Sequence, residues 1–362
     1  MKKLLCLILV LVTVLCLCAC RAKDPYETMP FIPYTHPPTE PTTEPTEPPV
    51  LYRAPLGGRP LDAPFAGAVV SVCISNTQAA LPQYGISAAD VLCEVEAEDG
   101  NTRFLGVFTD PEGAGHIGPV TGTNTFFNSL AISYDAALLH SGGTKRGQKG
   151  YTDREGELPE GWVHLDQKKS GSGFTLKTDR QESGYAKADT LFTIGKRAVN
   201  ALKSQEFQVE KERDYGYAYE KELTLAGEAA KTLTVTFRGG KTTAFTYDEA
   251  EAAYTATQYE KPLVDGSTDA PVTFKNLLVL FASQTCVKEG SKQQSYYELT
   301  GEGDGFLAIG DSYVKIKWCR EKLSDPFAYT LEDGTPVTFA AGNTYAAVLC
   351  KETGKAEFLM QN

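Results

Sequence analysis

At 362 residues and 39.3 kDa the chain is too long for one small domain and suggests roughly two after processing. It is 42% hydrophobic and 22% charged, which allows a packed core and excludes disorder along its whole length. Its formal charge of −11, from 46 acids against 35 bases, excludes a general nucleic-acid binder, which needs a basic footprint.

Lys2 and Lys3 precede an apolar run from Leu4 to Leu17, the order of a secretory signal. The run is short for a bilayer span and ends at small residues and cysteine, not at a basic flank. Leu17-Cys18-Ala19-Cys20 resembles a bacterial lipobox, in which the last cysteine is diacylated and becomes the first mature residue. Residues 1–19 are therefore expected to be a signal peptide and Cys20 a lipidated anchor. A plain membrane anchor or an ordinary secreted precursor is the competing account. Two acyl chains hold a protein stably where one does not, so the expected location is the outer face of the bacterial cytoplasmic membrane, tethered and not spanning. Losing residues 1–19 removes two lysines and no acid, taking the charge from −11 to −13. Such a body is pushed off an anionic membrane.

Residues 21–55 hold ten of the twenty prolines, mixed with Thr and Glu as in Pro37-Pro38-Thr39-Glu40-Pro41. This composition buries no apolar surface and favours extended, polyproline-like backbone. At about 3.1 Å per residue it reaches on the order of 100 Å, so residues 20–55 read as the lipidated cysteine and a spacer. Cys6, Cys16, Cys18 and Cys20 belong to the leader, leaving Cys73, Cys93, Cys286, Cys319 and Cys350. Five is odd and the spacing irregular, so neither a metal knuckle nor a disulfide scaffold is indicated; one oxidised pair stays open.

Residues 56–204 alternate strand and helix signals. Val69–Ser75 is a short β-branched run, and Gln78–Leu81 is helix-like and stopped by Pro82. Asp90–Glu98 and Thr102–Phe108 read as a hairpin about Asp99-Gly100, a type I′ signal. In that register residues summing to 199 face each other. Glu96 then opposes Arg103; Val91, Cys93, Val95 and Ala97 share a buried face; Glu94, Glu96, Glu98 and Arg103 share the other. A glycine-dense loop, 113–122, leads to Thr123 or Asn124 as the cap of a helix bearing Phe126, Phe127, Leu130, Ala131 and Tyr134. A strand over Ala136–His140 ends in Ser141-Gly142-Gly143. Residues 145–184 show little apolar periodicity, and a helix is expected from about Thr190 to Lys203.

From residue 205 to 362 the pattern becomes short alternating runs. They include a hairpin at Gly239-Gly240 and strands near Val272–Phe281, Gly305–Ile309, Tyr313–Trp318 and Tyr345–Leu349. The expected fold class is α+β: an N-terminal α/β domain with a mixed sheet over 56–204, then a mostly antiparallel, β-rich C-terminal domain over 205–362.

Several strings point the same way: Asn76 with Ala79-Ala80-Leu81-Pro82-Gln83, Ala89-Asp90-Val91 leading to Glu94-Val95, Thr102-Arg103-Phe104-Leu105, Ile117-Gly118-Pro119-Val120, and Tyr134-Asp135-Ala136 running to His140-Ser141-Gly142-Gly143. Together with Asn276-Leu277-Leu278-Val279 through Trp318 and Asp325-Pro326-Phe327, they resemble the YerB-like lipoprotein family. That is a two-part domain of unknown function on the surface of Gram-positive bacteria. The resemblance implies a name and a location, not a reaction. Where it implies arginines and histidines, this chain has Thr121 and Asn124, Ser183-Gly184-Tyr185-Ala186, Tyr254-Thr255-Ala256 and Leu263. Each departure removes a cation or a proton carrier.

The candidate site residues follow. His140 and Ser141 end a strand, where sites of α/β sheets gather, although neighbours on a strand point to opposite faces. A structural, hydrogen-bonding His140 is the bland alternative. Glu94, Glu96 and Glu98 lie about 7 Å apart along one face, a spacing that suits an acid and a base or, equally, a solvated face beside Arg103. The glycine loop offers N–H groups to an anion, or merely connects. The resulting expectation is a ligand or cell-envelope partner bound without catalysis by Asn76, Glu94, Arg103, Asp135, His140 and Ser141. The alternative is an envelope hydrolase using Glu94 or Glu98 with His140. No cofactor and no metal are expected. The expected partners are membrane lipid through acylated Cys20 and a cell-wall or small anionic ligand, with no nucleic acid.

Overall fold

A computed structural model describes residues 52–150, 159–205, 207–208 and 211–360. The expected leader, Cys20 and the spacer as far as residue 51 lie outside these residues. Residues 50–362 form one compact unit. It is mostly β, with 46% strand and 11% helix.

The longer elements are β1 (Val70–Ser75), β2 (Val91–Glu98), β3 (Asn101–Phe108), α1 (Thr125–Ser133), β4 (Ala137–His140), β5 (His164–Asp166), α2 (Thr178–Glu182) and α3 (Gly195–Lys203). Then come β6 (Thr232–Thr236), β7 (Thr242–Asp248), β8 (Ala253–Gln258), β9 (Asn276–Ala282), β10 (Gln284–Glu289) and β11 (Lys292–Tyr297). The last four are β12 (Gly301–Ile309), β13 (Ser312–Arg320), β14 (Thr344–Cys350) and β15 (Lys355–Leu359).

One mixed sheet runs β13-β12-β9-β14-β2-β3-β1-β4-β5 and takes strands from both halves of the sequence. The halves meet at β14 and β2, which pair in parallel from Thr344↔Val91 to Val348↔Val95. A second, antiparallel sheet, β8-β7-β6-β15, packs on one face of the first through Leu233, Val235, Phe245 and Phe274 against Leu92, Phe104 and Tyr345. The opposite face carries α1 and a cluster of aromatic residues. Every residue of α1 is buried, and the Asn124 side chain accepts the Thr125 N–H at its start.

This double coverage overturns one expectation. Glu94 and Glu96 are not on a solvated face: both are fully buried, because the second sheet covers the face they share. The hairpin register also differs. Asp99 and Gly100 have φ of 50° and 79°, the turn that the sequence implies. Ala97, however, is an extra residue, so beyond it Glu96 opposes Thr102 and Glu94 opposes Phe104. Arg103 opposes Val95 and therefore shares the face of Val95, not of Glu94. Glu98, past the bulge, opposes Asn101 and joins the Arg103 face.

Two helical expectations are shortened. Gln78–Ala80 is a single 3₁₀ turn, and Leu191–Ile194 is a strand paired with Phe174–Leu176, leaving the helix to begin at Gly195. All five body cysteines are free. Cys73 and Cys93 both oppose Leu105, from its two sides. They therefore sit roughly 10 Å apart, beyond the roughly 7 Å that a disulfide bridges.

Candidate functional site

The expected site residues divide among separate places. Asn76 follows β1 and meets Glu94 of β2: its Nδ2 donates to Glu94 Oε1 at 3.0 Å and to Thr102 Oγ1 at 2.9 Å. Thr102 Oγ1 and Lys241 Nζ donate to the same Oε1, and Thr243 Oγ1 and Tyr345 OH donate to Oε2 at 2.8 and 2.7 Å. Five donors from four parts of the chain thus converge on one carboxylate. Burial pulls the Lys241 ammonium below its ordinary pKa, and Glu94 opposes that shift. Lys241 also donates to Gln258 Oε1 at 2.8 Å.

The other two glutamates also meet cations, although Glu98 Oε2 is buried without a hydrogen bond among the described residues. Glu96 accepts from the Gly239 N–H at 2.6 Å and lies 3.3 Å from Arg238 Nε. Glu98 binds Arg103 Nη2 and lies 3.3 Å from Lys292 Nζ. Arg103 Nη1 donates to the Gly122 carbonyl at 2.6 Å. Each glutamate of β2 therefore meets a cation from the C-terminal half, and the acidic stripe joins the two halves.

His140 lies elsewhere, at the end of β4. Its Nδ1 is 2.9 Å from the Gly142 carbonyl and its Nε2 is 2.9 Å from Nδ1 of His164 on β5. A carbonyl only accepts, so His140 carries its proton on Nδ1, and His164 Nδ1–H donates to His140 Nε2. The rings stack at 5.2 Å and 8°, and Trp162 stacks on His164 at 5.5 Å and 11°. Burial lowers the pKa of both histidines, that of His164 to about 4. Asp166 Oδ1 accepts from the N–H groups of Gly142 and Lys168. Ser141 Oγ donates to Gln167 Oε1 at 3.2 Å, away from His140, as the alternation of a strand implies. Both ring nitrogens of His140 are engaged, neither by a glutamate.

The glycine loop is closed as well. The N–H groups of Gly118, Val120, Thr121 and Thr123 donate to the carbonyls of Tyr84, Leu191, Cys73 and Gly142. With α1 wholly buried, no anion cradle is open there. Among the described residues, no group of three or more His, Cys, Asp or Glu is placed to hold a metal.

Asp135 differs from all of these. It occupies the left-handed turn between α1 and β4, with φ of 43°. Its carboxylate is 42% exposed; Oδ2 accepts from Arg213 Nε at 2.9 Å and forms an ion pair with Lys211 Nζ at 2.7 Å. It lines an open cleft of about 680 Å³ together with Trp162, Phe207, Lys211, Arg213 and Tyr215. Arg213 is held from behind by the Gly67 and Lys211 carbonyls, and Tyr215 OH donates to the Tyr134 carbonyl at 2.6 Å.

Sequence reasoning missed Lys241, Trp162, Lys211 and Arg213, which no local motif marks; His164, a single histidine with no partner at ligand spacing in the sequence, is paired with His140 by the fold. Sequence reasoning also passed over Asp90, inside one of the strings that carry the family resemblance. The Thr109 N–H and hydroxyl hold Asp90 Oδ2 at 2.6 and 2.8 Å, and burial raises its pKa to about 6. It borders a smaller cleft of about 430 Å³ with Arg59 and Asp110.

Comparison with known proteins adds a family and a fold. Residues 57–208 match the N-terminal domain, and residues 233–346 the C-terminal domain, of the "Protein of unknown function (DUF3048)" family. The chain is 23% identical over 294 residues to "Putative lipoprotein YerB" of Bacillus subtilis (strain 168), covering 77% of this chain and 80% of that one. The crystal structure of the Bacillus subtilis YerB protein superposes with a TM-score of 0.68 at 20% identity, over 84% of this chain and 99% of that one. At that identity the likeness establishes the fold.

Proposed function

The chain belongs to the DUF3048 family, with both of its domains, and from that membership we propose a lipid-anchored binding protein without catalysis on the outer face of the bacterial cytoplasmic membrane. The address rests on the lysines, apolar run and Leu17-Cys18-Ala19-Cys20 string, and on the Bacillus subtilis relative named "Putative lipoprotein YerB". Diacylated Cys20 anchors the chain and the proline-rich spacer carries the body away from the lipid.

One observation carries the binding reading. Glu94 and His140 spend their polar atoms on internal partners, while Asp135 presents a carboxylate to an open cleft. The hydrolase alternative needs Glu94 or Glu98 within proton reach of His140, and both nitrogens of that histidine are committed.

Two measurements test the two parts. Radiolabelled palmitate is expected to mark the chain in growing cells, and Cys20→Ser to abolish the label and release the protein from the membrane fraction. An unlabelled wild-type chain overturns the anchor. Solubilised cell-wall digest is expected to raise the melting temperature of the purified body by several degrees when well above its dissociation constant. A flat response overturns the binding role.

A further inference from the structure

We propose that the Asp135 cleft takes an uncharged saccharide, with Trp162 as the plate on which a sugar ring stacks and Asp135 as the acceptor of its hydroxyl hydrogens. This deepens the binding reading above and rests on it.

Trp162 is immobilised from two directions. Its Nε1 donates to the Ala136 carbonyl at 2.9 Å, which fixes the plane of the indole. His164 lies parallel against it and is itself bonded to the buried His140. The result is a rigid aromatic surface on the wall of a cleft, where little side-chain freedom remains to be lost when a ligand docks. An aromatic face is apolar and rimmed by positive hydrogens, and it suits the C–H face of a pyranose ring.

Asp135 supplies the polar half. Among the described residues both of its cation contacts fall on Oδ2, which leaves Oδ1 to accept from a ligand hydroxyl. Lys211, 46% exposed, adds donors beside it. An acceptor next to a donor is the pattern that neighbouring hydroxyls of a sugar require, each being donor and acceptor at once.

Charge selects the class. Lys211 and Arg213 share the single Asp135 carboxylate, and with Glu160, Glu212 and Asp214 the lining holds four acids against two bases, a net formal charge of −2. A phosphate-rich polymer is repelled, and a cationic ligand meets Lys211 and Arg213 at the very carboxylate it needs. A neutral ligand avoids both conflicts. The cleft volume of about 680 Å³ falls in the range of small-ligand sites.

The chain has two tryptophans, and the other, Trp318, is buried. In Trp318→Phe protein, emission therefore reports Trp162 alone. Titrating that protein with the tetramer of N-acetylglucosamine is expected to give a saturable emission change with a dissociation constant on the order of 1 mM or tighter. Asp135→Asn keeps a residue tolerant of the left-handed turn and is expected to weaken the response about tenfold. Trp162→Ala, read by melting temperature in the wild-type background, is expected to lose the ligand-dependent rise. The deacetylated, cationic tetramer and inorganic phosphate serve as comparison probes. No response to the neutral tetramer from folded protein, a response only to the cationic tetramer or to phosphate, or a rise that persists in Trp162→Ala each overturns the proposal. If the neutral tetramer fails while cell-wall digest still raises the melting temperature, the saccharide assignment falls and the binding role stands.

Discussion

Glu94 shows what a buried charge does in this protein. Its side chain is 0% exposed and that of Lys241 is 8% exposed, so neither ion has water to fall back on. The desolvation cost of such a pair is offset only when every remaining lone pair finds a donor, which Asn76, Thr102, Thr243 and Tyr345 provide. Removing one partner leaves the other charge stranded. Lys241→Met is therefore expected to cost about 3–5 kcal/mol in urea unfolding. Combining it with Glu94→Gln is expected to recover a large part of that cost, as a double-mutant cycle isolates the coupling. A Lys241→Met protein within about 1 kcal/mol of wild type would mean that the ammonium contributes no more than an exposed ion pair.

The elements differ in how far they can be read from sequence, and the difference follows the range of the interactions that shape them. Asp99-Gly100 announces the β2–β3 turn because the turn is decided by those two residues' own backbone preferences. Asn124 announces α1 for the same local reason. The bulge at Ala97 is not announced, since β2 is held on its far side by β14, some 250 residues later, and next to the turn by Gln294 of β11. The burial of Glu94 was hidden for a related reason: alternation identifies two faces of a strand, but a distant sheet decides whether the second is covered. His164 and Trp162 sit in the stretch of weak periodicity, where no pattern marks a partner for His140.

That stack has a consequence for pH. The folded pKa of His164 is lowered from 6.5 to about 4, chiefly by burial and then by His140 and Lys169, with Asp166 opposing. The unfolded chain therefore binds the proton first as pH falls. The stabilising contribution is complete above about pH 6.5 and is lost as pH drops from there toward 4. Asp90 acts in the opposite sense, because its folded pKa of about 6 lies above the unfolded 3.8 and acid favours its folded form. The informative quantity is the difference in melting temperature between wild type and His164→Asn. It is expected to shrink by a few degrees between pH 7 and pH 5, and a difference independent of pH would remove the neutral histidine pair as its source.

At the scale of the molecule, the boundary that the sequence suggests near residue 205 does not run through the sheet as an edge. β2 takes its main-chain partners on one side from β14, and its three glutamates take Lys241, Arg238 and Lys292 as counterions. Asp265 adds another tie, accepting from the N–H groups of Gly85 and Ser87 across the same junction. A piece ending at residue 208 would expose the β2 ladder, uncover Leu92 and Phe104, leave Glu94 and Glu96 without their cations and leave Glu98 with Arg103 alone. Residues 52–208 alone are therefore expected to give no cooperative melt by circular dichroism, and adding residues 211–360 in trans is expected to restore one. A cooperative transition from the isolated N-terminal piece would mean that its own core outweighs those losses, and the matched sequence regions, 57–208 and 233–346, would then be separate folding units as well as separate stretches of sequence.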